Sequence, residues 1–465
     1  MKRRSFIKLS LFSSLLLLTN ANAKKDSLGY KELIIPKLNK GELINGIRHF
    51  NMQINESTHQ FYEGYDTKTY GINQNYLGQT IKLTNKEEVS IDYTNNINET
   101  ITMHGHGMHV PASQDGTAHQ SIKPNSSWSS KFIVNQKACT NWYHSHAMNK
   151  TAHQVYKGLA GLIIIEDEEI NSLSLPNNYG VDDIPLILQD RFFDNKAQLY
   201  YNPGMRDIMM GYSSDILVTN GVLNPYVDIQ AKEVRFRILN GSNSSVYNLA
   251  FDDDRTFRQI ATDNSLLEKP VELYNLLLSP GERAEIVVDF TDDLDEMVNL
   301  YDIRSNKSFL KIKINKKAKN ITKLPDTLTK LEKYSINDVK RKRYFKLSGG
   351  MGRLNINGLP MNMKYINEKV PLNSIEIWEV KNDMMMTHNF HIHATHFMII
   401  ERNGKSSYVQ ENEKGYKDTV RIPGGQSVKF IVKMTDYKDE INPYMYHCHF
   451  LEHEDAGMMG QFTVV

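Results

Sequence analysis

One arrangement of strand, turn and strand recurs three times along the chain. An apolar strand whose end carries asparagine is followed, after a turn of Pro-Gly or Pro-Asn type, by another apolar strand. The first strands are Val89 to Asn95, Val234 to Asn240 and Ile375 to Asn382, and the segments after them read "KPNSSWSSKFIV", "SPGERAEIVVDF" and "IPGGQSVKFIVKM". Val, Ile, Phe and Tyr are typical of strands, and Asn, Gly and Pro of the turns between them. The recurrence predicts an all-β chain built from three copies of a β-sandwich unit.

The length of the chain agrees with three such units. A chain of 465 residues is too long for one compact core, because domains commonly contain roughly 100–200 residues. Linkers are expected near Asp167 to Asn178 and within the lysine-rich stretch Lys311 to Arg343. We therefore predict domains over residues 24–168, 169–320 and 321–465, preceded by an export signal over residues 1–23.

The export signal is predicted from "MKRRSFIKLSLFSSLLLLTNANA", which has a basic start, a short apolar run and a small-residue end at Ala23. A membrane anchor would need roughly 20 apolar residues, and this run is much shorter. Arg3 and Arg4, followed by Phe6 and Lys8, resemble the twin-arginine signal. We expect the twin-arginine export machinery as a partner, cleavage near Ala23 and a periplasmic protein, with the general secretory route as the alternative.

Charge and cysteine content narrow the possible partners. Lys and Arg (55) nearly balance Asp and Glu (54), so the chain lacks the one-signed charge typical of nucleic-acid binding. We predict no nucleic-acid partner and a monomer. Two cysteines, Cys139 and Cys448, permit a single disulfide arithmetically, but Cys448 is assigned to a metal site below and Cys139 has no assigned chemistry.

The histidines are segregated between the three units. The first unit carries "HGH" and "HSH", the third carries "HNFHIH" and "HCHFLEH", and no histidine occurs from Tyr156 through Thr387. Structural histidines would be scattered among all three units. The segregation therefore predicts a site between the first and third units, with the middle unit as a spacer.

Residues two apart on a strand point to the same face, so each His-x-His pair can direct two imidazoles at one place. This parity yields one group of eight histidines: His104, His106, His144, His146, His391, His393, His447 and His449. It yields a second group: His388, Cys448, His453 and Met458. Two His, one Cys and a weak Met ligand form the donor set of a blue-copper electron-transfer site. Closed zinc sites take only four ligands, and covalent catalysis by Cys448 would leave the histidine clusters without a purpose.

The motifs "HGHG", "WYHSH", "HNFHIH" and "HCHFLEHEDAGMM" resemble, in order and spacing, the four copper-binding motifs of the multicopper oxidases. The arginine pair, "GYKDTV" and "LEHEDAGMM" are most similar to the bacterial copper efflux oxidases within that laccase-like family. The resemblance implies three tandem cupredoxin-like Greek-key β-sandwich domains. It also implies four copper ions, one of type 1, one of type 2 and two of type 3, and the reduction of dioxygen to water.

The resemblance also assigns the ligands residue by residue. The type 1 ligands would be His388, Cys448, His453 and Met458, and the type 2 ligands His104 and His391. The type 3 ligands would be His106, His144 and His449 on one ion and His146, His393 and His447 on the other. Electrons would pass from Cys448 to its covalent neighbours His447 and His449.

Acidic and methionine residues complete the expected site. Asp115 and Glu454 match acidic positions that the family uses to supply protons, although a solvated carboxylate is the alternative for each. Copper efflux oxidases carry a Met- and His-rich insertion over the type 1 site, and this chain does not, which predicts an open surface there. Met386, Asp383 and, more weakly, Met351 are the candidates for a substrate copper site, although methionine clusters are also typical of core packing.

The function implied is oxidation of cuprous ion, small phenols or both, coupled to dioxygen reduction, in copper tolerance. A general phenol oxidase or a ferroxidase is the alternative, because the sequence does not rank these reductants. A copper-free scaffold, like the division-associated relatives, would not need an intact set of ligands, and copper nitrite reductases usually carry two such domains.

Overall fold

The computed structural model describes residues 29–318, 323–350 and 353–465. These residues form six β-sheets that fall into three consecutive pairs along the sequence. The predicted export signal, with its arginine pair, and Met351 lie outside the described residues. Within the described part of the chain, every helix is too short or too polar to cross a lipid bilayer.

The first pair of sheets is formed by the residues up to Glu166. The strands of this part are β1 (Lys31–Glu32), β2 (Leu38–Asn39), β3 (Glu42–Ile44), β4 (Ile47–His59), β5 (Thr67–Ile72), β6 (Leu77–Gly78), β7 (Thr80–Thr84), β8 (Glu88–Asn95), β9 (His104–His106), β10 (Ser126–Ile133), β11 (Cys139–His144) and β12 (Ala160–Glu166). One sheet has the order β10-β8-β4-β5-β6, with β3 beside β4, and the other has the order β2-β7-β12-β11-β9. Helix α1 (Thr151–Lys157) and two 3-10 turns, Ala112–Gln114 and Ala118–Gln120, connect these strands.

The middle pair follows helix α2 (Glu168–Ser172) and includes helix α3 (Met205–Met210). Its strands are β13 (Asp183–Asp190), β14 (Leu217–Thr219), β15 (Pro225–Ala231), β16 (Glu233–Asn240), β17 (Tyr247–Phe251), β18 (Phe257–Ala261), β19 (Leu266–Leu273), β20 (Leu276–Leu278), β21 (Arg283–Asp289), β22 (Met297–Asp302) and β23 (Lys307–Lys317). The sheet orders are β14-β13-β16-β21-β18-β19 and β1-β15-β23-β22-β17-β20. Strand β1, from the start of the described chain, therefore joins a sheet of the middle pair.

The third pair carries the C-terminal histidines. Its strands are β24 (Val339–Gly350), β25 (Arg353–Ile356), β26 (Glu368–Val370), β27 (Ile375–Asn382), β28 (His388–Ile392), β29 (Phe397–Arg402), β30 (Thr419–Ile422), β31 (Ser427–Lys433), β32 (Asp439–His447) and β33 (Met459–Val464). The sheet orders are β25-β24-β27-β31-β29 and β26-β33-β32-β28-β30. Helix α4 (Leu451–Asp455) and 3-10 turns at Ile336–Asp338, Ser406–Tyr408 and Glu411–Glu413 complete it.

The recurrent sequence unit forms the same element in each pair of sheets. Strands β8 and β10 pair antiparallel, as do β16 with β21 and β27 with β31. Alternate side chains of these strands point into an apolar core, which in the third pair contains Trp378, Phe390 and Phe430. The prediction of an all-β chain of sandwich units is confirmed.

The first and third pairs of sheets lie directly against one another. The Asp455 carboxylate accepts hydrogen bonds from the N–H groups of Thr151 (3.1 Å) and Ala152 (2.9 Å), at the start of α1. These N–H groups have no partner within their own helix, so the contact from α4 caps α1 across the interface. The cap holds the histidine-bearing strands of the two sandwiches in a fixed relation.

Candidate metal centres

Strands β9 and β11 of the first sandwich present four histidines to one place. His104 and His106 occupy the two ends of β9, and His144 pairs with His104 across the antiparallel ladder. His146 follows two residues after His144. All four rings are buried, which is the arrangement that the period of two predicts.

Strands β28 and β32 of the third sandwich present the other four histidines from the opposite side. His391 pairs with His447 across the ladder, and His393 and His449 lie just beyond. The two halves interleave, since the ring of His104 stacks on that of His393 with centroids 4.0 Å apart. The eight predicted histidines therefore form one buried cluster between the first and third sandwiches.

The ring nitrogens of this cluster fall into three groups. Within each group, one nitrogen from each ring lies within 4.8 Å of the others. The groups are His106, His144 and His449; His146, His393 and His447; and His104, His391 and His393. The first two have the composition expected for two type 3 ions, and the third contains the expected type 2 pair. The identity of the ligands stays a prediction, but the structure brings the predicted residues together.

The orientation of the rings fits metal ligation. In several rings Nδ1 is held by an oxygen: in His104 by the Asp115 carbonyl (2.7 Å), in His144 by the Ser145 carbonyl (2.8 Å). The opposite nitrogens, Nε2, are buried without a hydrogen-bond partner among the described residues in His104, His106, His144, His391 and His449. Buried polar atoms are normally paired, and fixing one ring nitrogen so that the other faces a metal is the usual role of residues around such sites.

Asp115 contacts two rings of the cluster and is itself buried. Its Oδ2 lies 2.8 Å from Nδ1 of His393, and its Oδ1 lies 3.3 Å from Nδ1 of His104. The carboxylate therefore orients one ring from each of the two sandwiches.

Glu454 contacts a different pair of rings. Its two oxygens lie 3.5 Å from Nδ1 of His146 and 3.3 Å from Nδ1 of His447. Burial raises the pKa of Glu454 well above its ordinary value, because a carboxylate away from water is less stable than the neutral acid. Both acids lie where the sequence places them, and their part in proton supply stays a prediction.

Asp418 and Arg283 lie beside the cluster and were not predicted as site residues from the sequence. Asp418 Oδ1 lies 3.4 Å from Nδ1 of His391 and 3.5 Å from Nδ1 of His106. Arg283 of the middle sandwich donates to both oxygens of Asp418, at 2.8 and 2.6 Å, and this holds the pKa of Asp418 far below its usual range against the effect of burial. The motif "GYKDTV" was the available signal for Asp418, whereas nothing in the sequence marks Arg283.

The middle sandwich is therefore more than the predicted spacer. Gly281, in the turn before Arg283, has a positive φ of 82°, and a Cβ placed there would lie 3.0 Å from the His449 ring. A side chain at this position would push the ring out of the cluster. The middle sandwich thus supplies a close backbone contact and a buried cation to the site.

The second candidate centre is formed around Cys448, which follows the last residue of β32 and points away from the histidine cluster. Nδ1 of His388 lies 3.4 Å from Sγ of Cys448, Nδ1 of His453 lies 3.6 Å from Sγ, and the two nitrogens are 3.1 Å apart. Met458 is fully buried in the same core cluster, and its carbonyl accepts a hydrogen bond from the Cys448 N–H at 3.1 Å. Three of the four predicted donors, His388, Cys448 and His453, therefore converge, with both histidines presenting Nδ1, and Met458 lies in the adjoining core.

Asn389 connects the two centres, and sequence reasoning did not identify it. Its Oδ1 accepts a hydrogen bond from the His449 N–H at 2.6 Å and lies 3.6 Å from Sγ of Cys448. Its amide donates to the Ser279 hydroxyl and the Pro280 carbonyl of the middle sandwich, at 3.1 and 2.8 Å. The thiol is thus held against a residue that is itself fixed by the neighbouring domain.

Burial sets the protonation states at both centres. It lowers the pKa of His388 to about 4 and that of His146 to about 3, with the neighbouring His104 also lowering the latter. These imidazoles are neutral near pH 7, which is the form that binds metal. Burial raises the pKa of the Cys448 thiol to about 12, so only a bound cation would make the thiolate the stable form. Both donor sets therefore fit metal ions.

The surroundings of the second centre differ from the expected open surface. His388 and His453 are fully buried, and helix α3, whose Met209 packs against the same core cluster, lies beside α4. A cavity of about 400 Å³ lies beside the centre, and its lining includes Met210, Met386 and Phe450, whose ring stacks on that of His453. The prediction of an open site is therefore wrong in part, because a helix of the middle sandwich covers it where the family's insertion is missing.

The other predicted substrate residues have mixed positions. Met386 lines this cavity, but the Asp383 carboxylate is paired with the Lys346 ammonium at 2.9 Å, and Met351 lies outside the described residues. Cys139 is a free, buried cysteine in the core of the first sandwich, and it does not pair with Cys448.

Comparisons with known proteins agree with this geometry. Two family models described as multicopper oxidase match residues 53–170 and 325–465. The chain is 35% identical over 449 residues to "Multicopper oxidase mco" of Staphylococcus aureus, covering 96% of this chain and 94% of that relative. It is 32% identical over 428 residues to "Cell division protein FtsP" of Photorhabdus laumondii, covering 88% of each. The crystal structure of a laccase from Pediococcus acidilactici superposes with a TM-score of 0.88 at 32% identity, covering 94% of each chain.

Proposed function

The chain belongs to the multicopper oxidase family, and we propose that it oxidises cuprous ion and small phenols with dioxygen as the electron acceptor. We further propose that it does so in the periplasm, as part of copper tolerance. Membership of this family establishes the type of enzyme and its cofactor. The chain is an oxidase with cupredoxin-like domains and copper as its cofactor, and it uses dioxygen and a reductant. The identity of the reductant and the physiological setting are proposals.

One observation carries the proposal. Cys448, which lies 3.4 Å from His388 in the second centre, is bonded through the backbone to His447 and His449, which belong to the eight-histidine cluster. One segment of chain therefore joins a soft-ligand centre suited to accept electrons to an imidazole-rich centre suited to hold several ions. A scaffold would not need to preserve both donor sets and the covalent connection between them.

We assign four copper ions to these donors. His388, Cys448, His453 and Met458 would hold a type 1 ion, His104 and His391 a type 2 ion, and the two triads of the cluster a type 3 pair. Copper at such sites supplies one-electron redox chemistry and, at the cluster, a place where dioxygen is reduced. Metal analysis of the purified protein, with electron paramagnetic resonance to separate the types, tests the count.

The residues around the cluster orient the ligands and supply protons. Asp115 fixes the rings of His104 and His393, and Glu454 lies beside those of His146 and His447. Reduction of dioxygen to water consumes protons, and a buried carboxyl group with a raised pKa, such as that of Glu454, is suited to take up and deliver a proton. Asp418, paired with Arg283, orients His391 without being a proton source, because that pairing keeps it ionised.

The choice of reductants rests on the cavity beside the second centre, which is lined by Thr387 and Phe450, the chain neighbour of His388 and the ring stacked on His453. Thioethers are soft ligands that suit cuprous ion, and Met386 and Met210 line this cavity. A cavity of about 400 Å³ lies within the size range of small-molecule sites, so a small phenol is also admitted. Steady-state rates of oxygen consumption with cuprous ion, ferrous ion and a small phenol, each with and without added copper, test this choice. Faster turnover of ferrous ion than of both others would overturn it.

Export as a folded, copper-loaded monomer is proposed from the N-terminal sequence. The twin-arginine exporter reads Arg3 and Arg4 as an address rather than as general positive charge. Replacing both with Lys should retain the precursor in the cytoplasm in cell fractionation. Undiminished periplasmic protein would show that the general secretory route suffices.

A further inference from the structure

A second cavity, remote from the approach to His388, lies between the middle and third sandwiches. Its volume is about 360 Å³, and its walls combine leucines of β19 and β20 with Tyr408, several amides, the carboxylates of Glu282 and Glu413 and four cationic side chains. The cations are Arg283, Arg402, Lys417 and Arg421. Such a mixture of apolar wall and positive charge is not required by the copper chemistry.

Three of the four cations are paired with carboxylates of the protein. Arg283 donates to Asp418, and Arg402 donates to Glu413. Lys417 lies 3.1 Å from an Asp263 oxygen and 3.2 Å from a Glu282 oxygen. Each of these pairs compensates the burial of its charges.

Arg421 is the exception. Across residues 29–318, 323–350 and 353–465, its guanidinium has no carboxylate within 4.0 Å and makes no hydrogen bond, although its own carbonyl accepts one from Arg402. The nearest acids are already engaged, since Glu282 accepts from Ser279 and pairs with Lys417. Arg421 is half-buried, and burial lowers its pKa, because the guanidinium loses part of its hydration without gaining a direct carboxylate partner.

We propose that this cavity binds a small organic carboxylate whose carboxylate group pairs with Arg421. The planar guanidinium presents parallel N–H donors that match a carboxylate in a bidentate fashion. A single unpaired cation suits a monoanion, and the leucine wall, including Leu273 and Leu277, suits an apolar or aromatic body. The volume is at the lower end of the range for small-molecule sites, so the ligand is about the size of benzoate.

The site is separate from the copper centres but adjacent to them. Arg421 on β30 pairs with Asn389 on β28, and Asn389 contacts Cys448. The proposal does not depend on the oxidase reaction, because it concerns a binding equilibrium that can be measured without turnover.

The test titrates the copper-loaded protein with benzoate by calorimetry and by thermal unfolding. We expect saturable binding and a rise in Tm that follows the ligand concentration. Arg421→Gln should weaken binding at least about tenfold, because it removes a charged hydrogen-bond donor. The matched control is Arg341→Gln, an exposed arginine on β24, which should bind benzoate as the parent does.

Two outcomes would overturn the assignment: benzoate binding that is equally tight in Arg421→Gln, or inorganic phosphate bound as tightly as benzoate with the same dependence on Arg421. The second outcome would indicate a general oxyanion site. The stability of Arg421→Met without ligand gives an independent check. A guanidinium retained for a ligand contributes nothing to folding, so this variant should have an equal or higher Tm, and a fall of several degrees would contradict the proposal.

Discussion

Nδ1 of His388 lies 3.4 Å from Sγ of Cys448, although 60 residues separate them in the chain. At the end of strand β32, over residues 447–449, the Cys448 side chain points to one side and contacts His388. The side chains of His447 and His449 point to the other side and belong to the histidine cluster. Because the side chains alternate along a strand, one segment serves two centres with no intervening residue.

Cys448→Ser should fold but lose both the intense blue absorption and oxidase turnover, because the serine hydroxyl does not replace the thiolate donor. Visible spectroscopy of the copper-loaded protein and oxygen consumption measure the two losses. The matched control is Cys139→Ser, since Cys139 is buried in the core of the first sandwich and belongs to neither donor set. Blue colour and turnover that survive in Cys448→Ser would remove this residue from the second centre.

Glu454→Gln should slow dioxygen reduction by about a hundredfold or more while reduction by substrate stays fast, because the amide keeps the shape but does not deliver a proton. Stopped-flow mixing of the reduced protein with dioxygen follows the return of the blue colour. Glu452→Gln, on the same helix, is the control, because Glu452 accepts hydrogen bonds from Asn243 and Tyr201 rather than facing the cluster. A normal rate in Glu454→Gln would exclude Glu454 from proton delivery.

The copper-free protein should become less stable as pH falls from about 7 to about 5. Burial lowers the pKa of His388 to about 4 and of His146 to about 3, so the unfolded chain binds protons below about pH 6.5 that the folded protein does not. The shift corresponds to roughly 3 kcal/mol of unfolding free energy for His388 and roughly 5 kcal/mol for His146 once the pH lies below both pKa values of the group. Three acids act in the opposite direction: Glu452 and Asp455, whose pKa values burial raises to about 7, and Glu454, whose pKa burial also raises.

The histidines in the two centres outnumber these acids, so the net slope should follow the histidines. Thermal unfolding of copper-free protein over this pH range measures it, and His388→Gln should flatten the dependence. A Tm that is constant or rises on acidification would show that the cluster is accessible to protons in the folded state.

Met386→Leu should separate the two proposed reductants. Leucine keeps the apolar volume but lacks the thioether, so cuprous oxidation should fall markedly while phenol oxidation stays within a few-fold of the parent. The fully exposed neighbour Met385 provides the control variant, Met385→Leu. An equal fall of both activities would show that Met386 only packs against the second centre, and phenol turnover that required added copper in the parent would contradict direct delivery of electrons.

The sequence was sufficient for the parts of this molecule that depend on local period and motif. The period of two placed His391 and His393 on one face and His388 on the other, and the structure brings each to the predicted group. The recurrent strand unit likewise predicted a feature of every sandwich, the antiparallel pair such as β27 with β31.

Contacts between domains could not be predicted from the sequence, because they depend on how the separate sandwiches pack against one another. Arg283 reaches Asp418 from a unit that carries no histidine of its own, and no local pattern distinguishes it from other strand arginines. Helix α3 covers the second centre for the same reason. Strand β1 joins the middle sandwich by pairing with Pro225 and Tyr226. A segment of two residues is too short for this pairing to be predicted from its sequence.

The central claim is that electrons taken up at the Cys448 centre pass to the histidine cluster, where they reduce dioxygen to water. The most direct measurement is the ratio of reductant oxidised to dioxygen consumed, with hydrogen peroxide assayed in the same mixture. The account predicts four cuprous ions, or four one-electron phenol oxidations, for each dioxygen, without peroxide. A ratio of two with stoichiometric peroxide would contradict it, because the two centres would then not act as one oxidase.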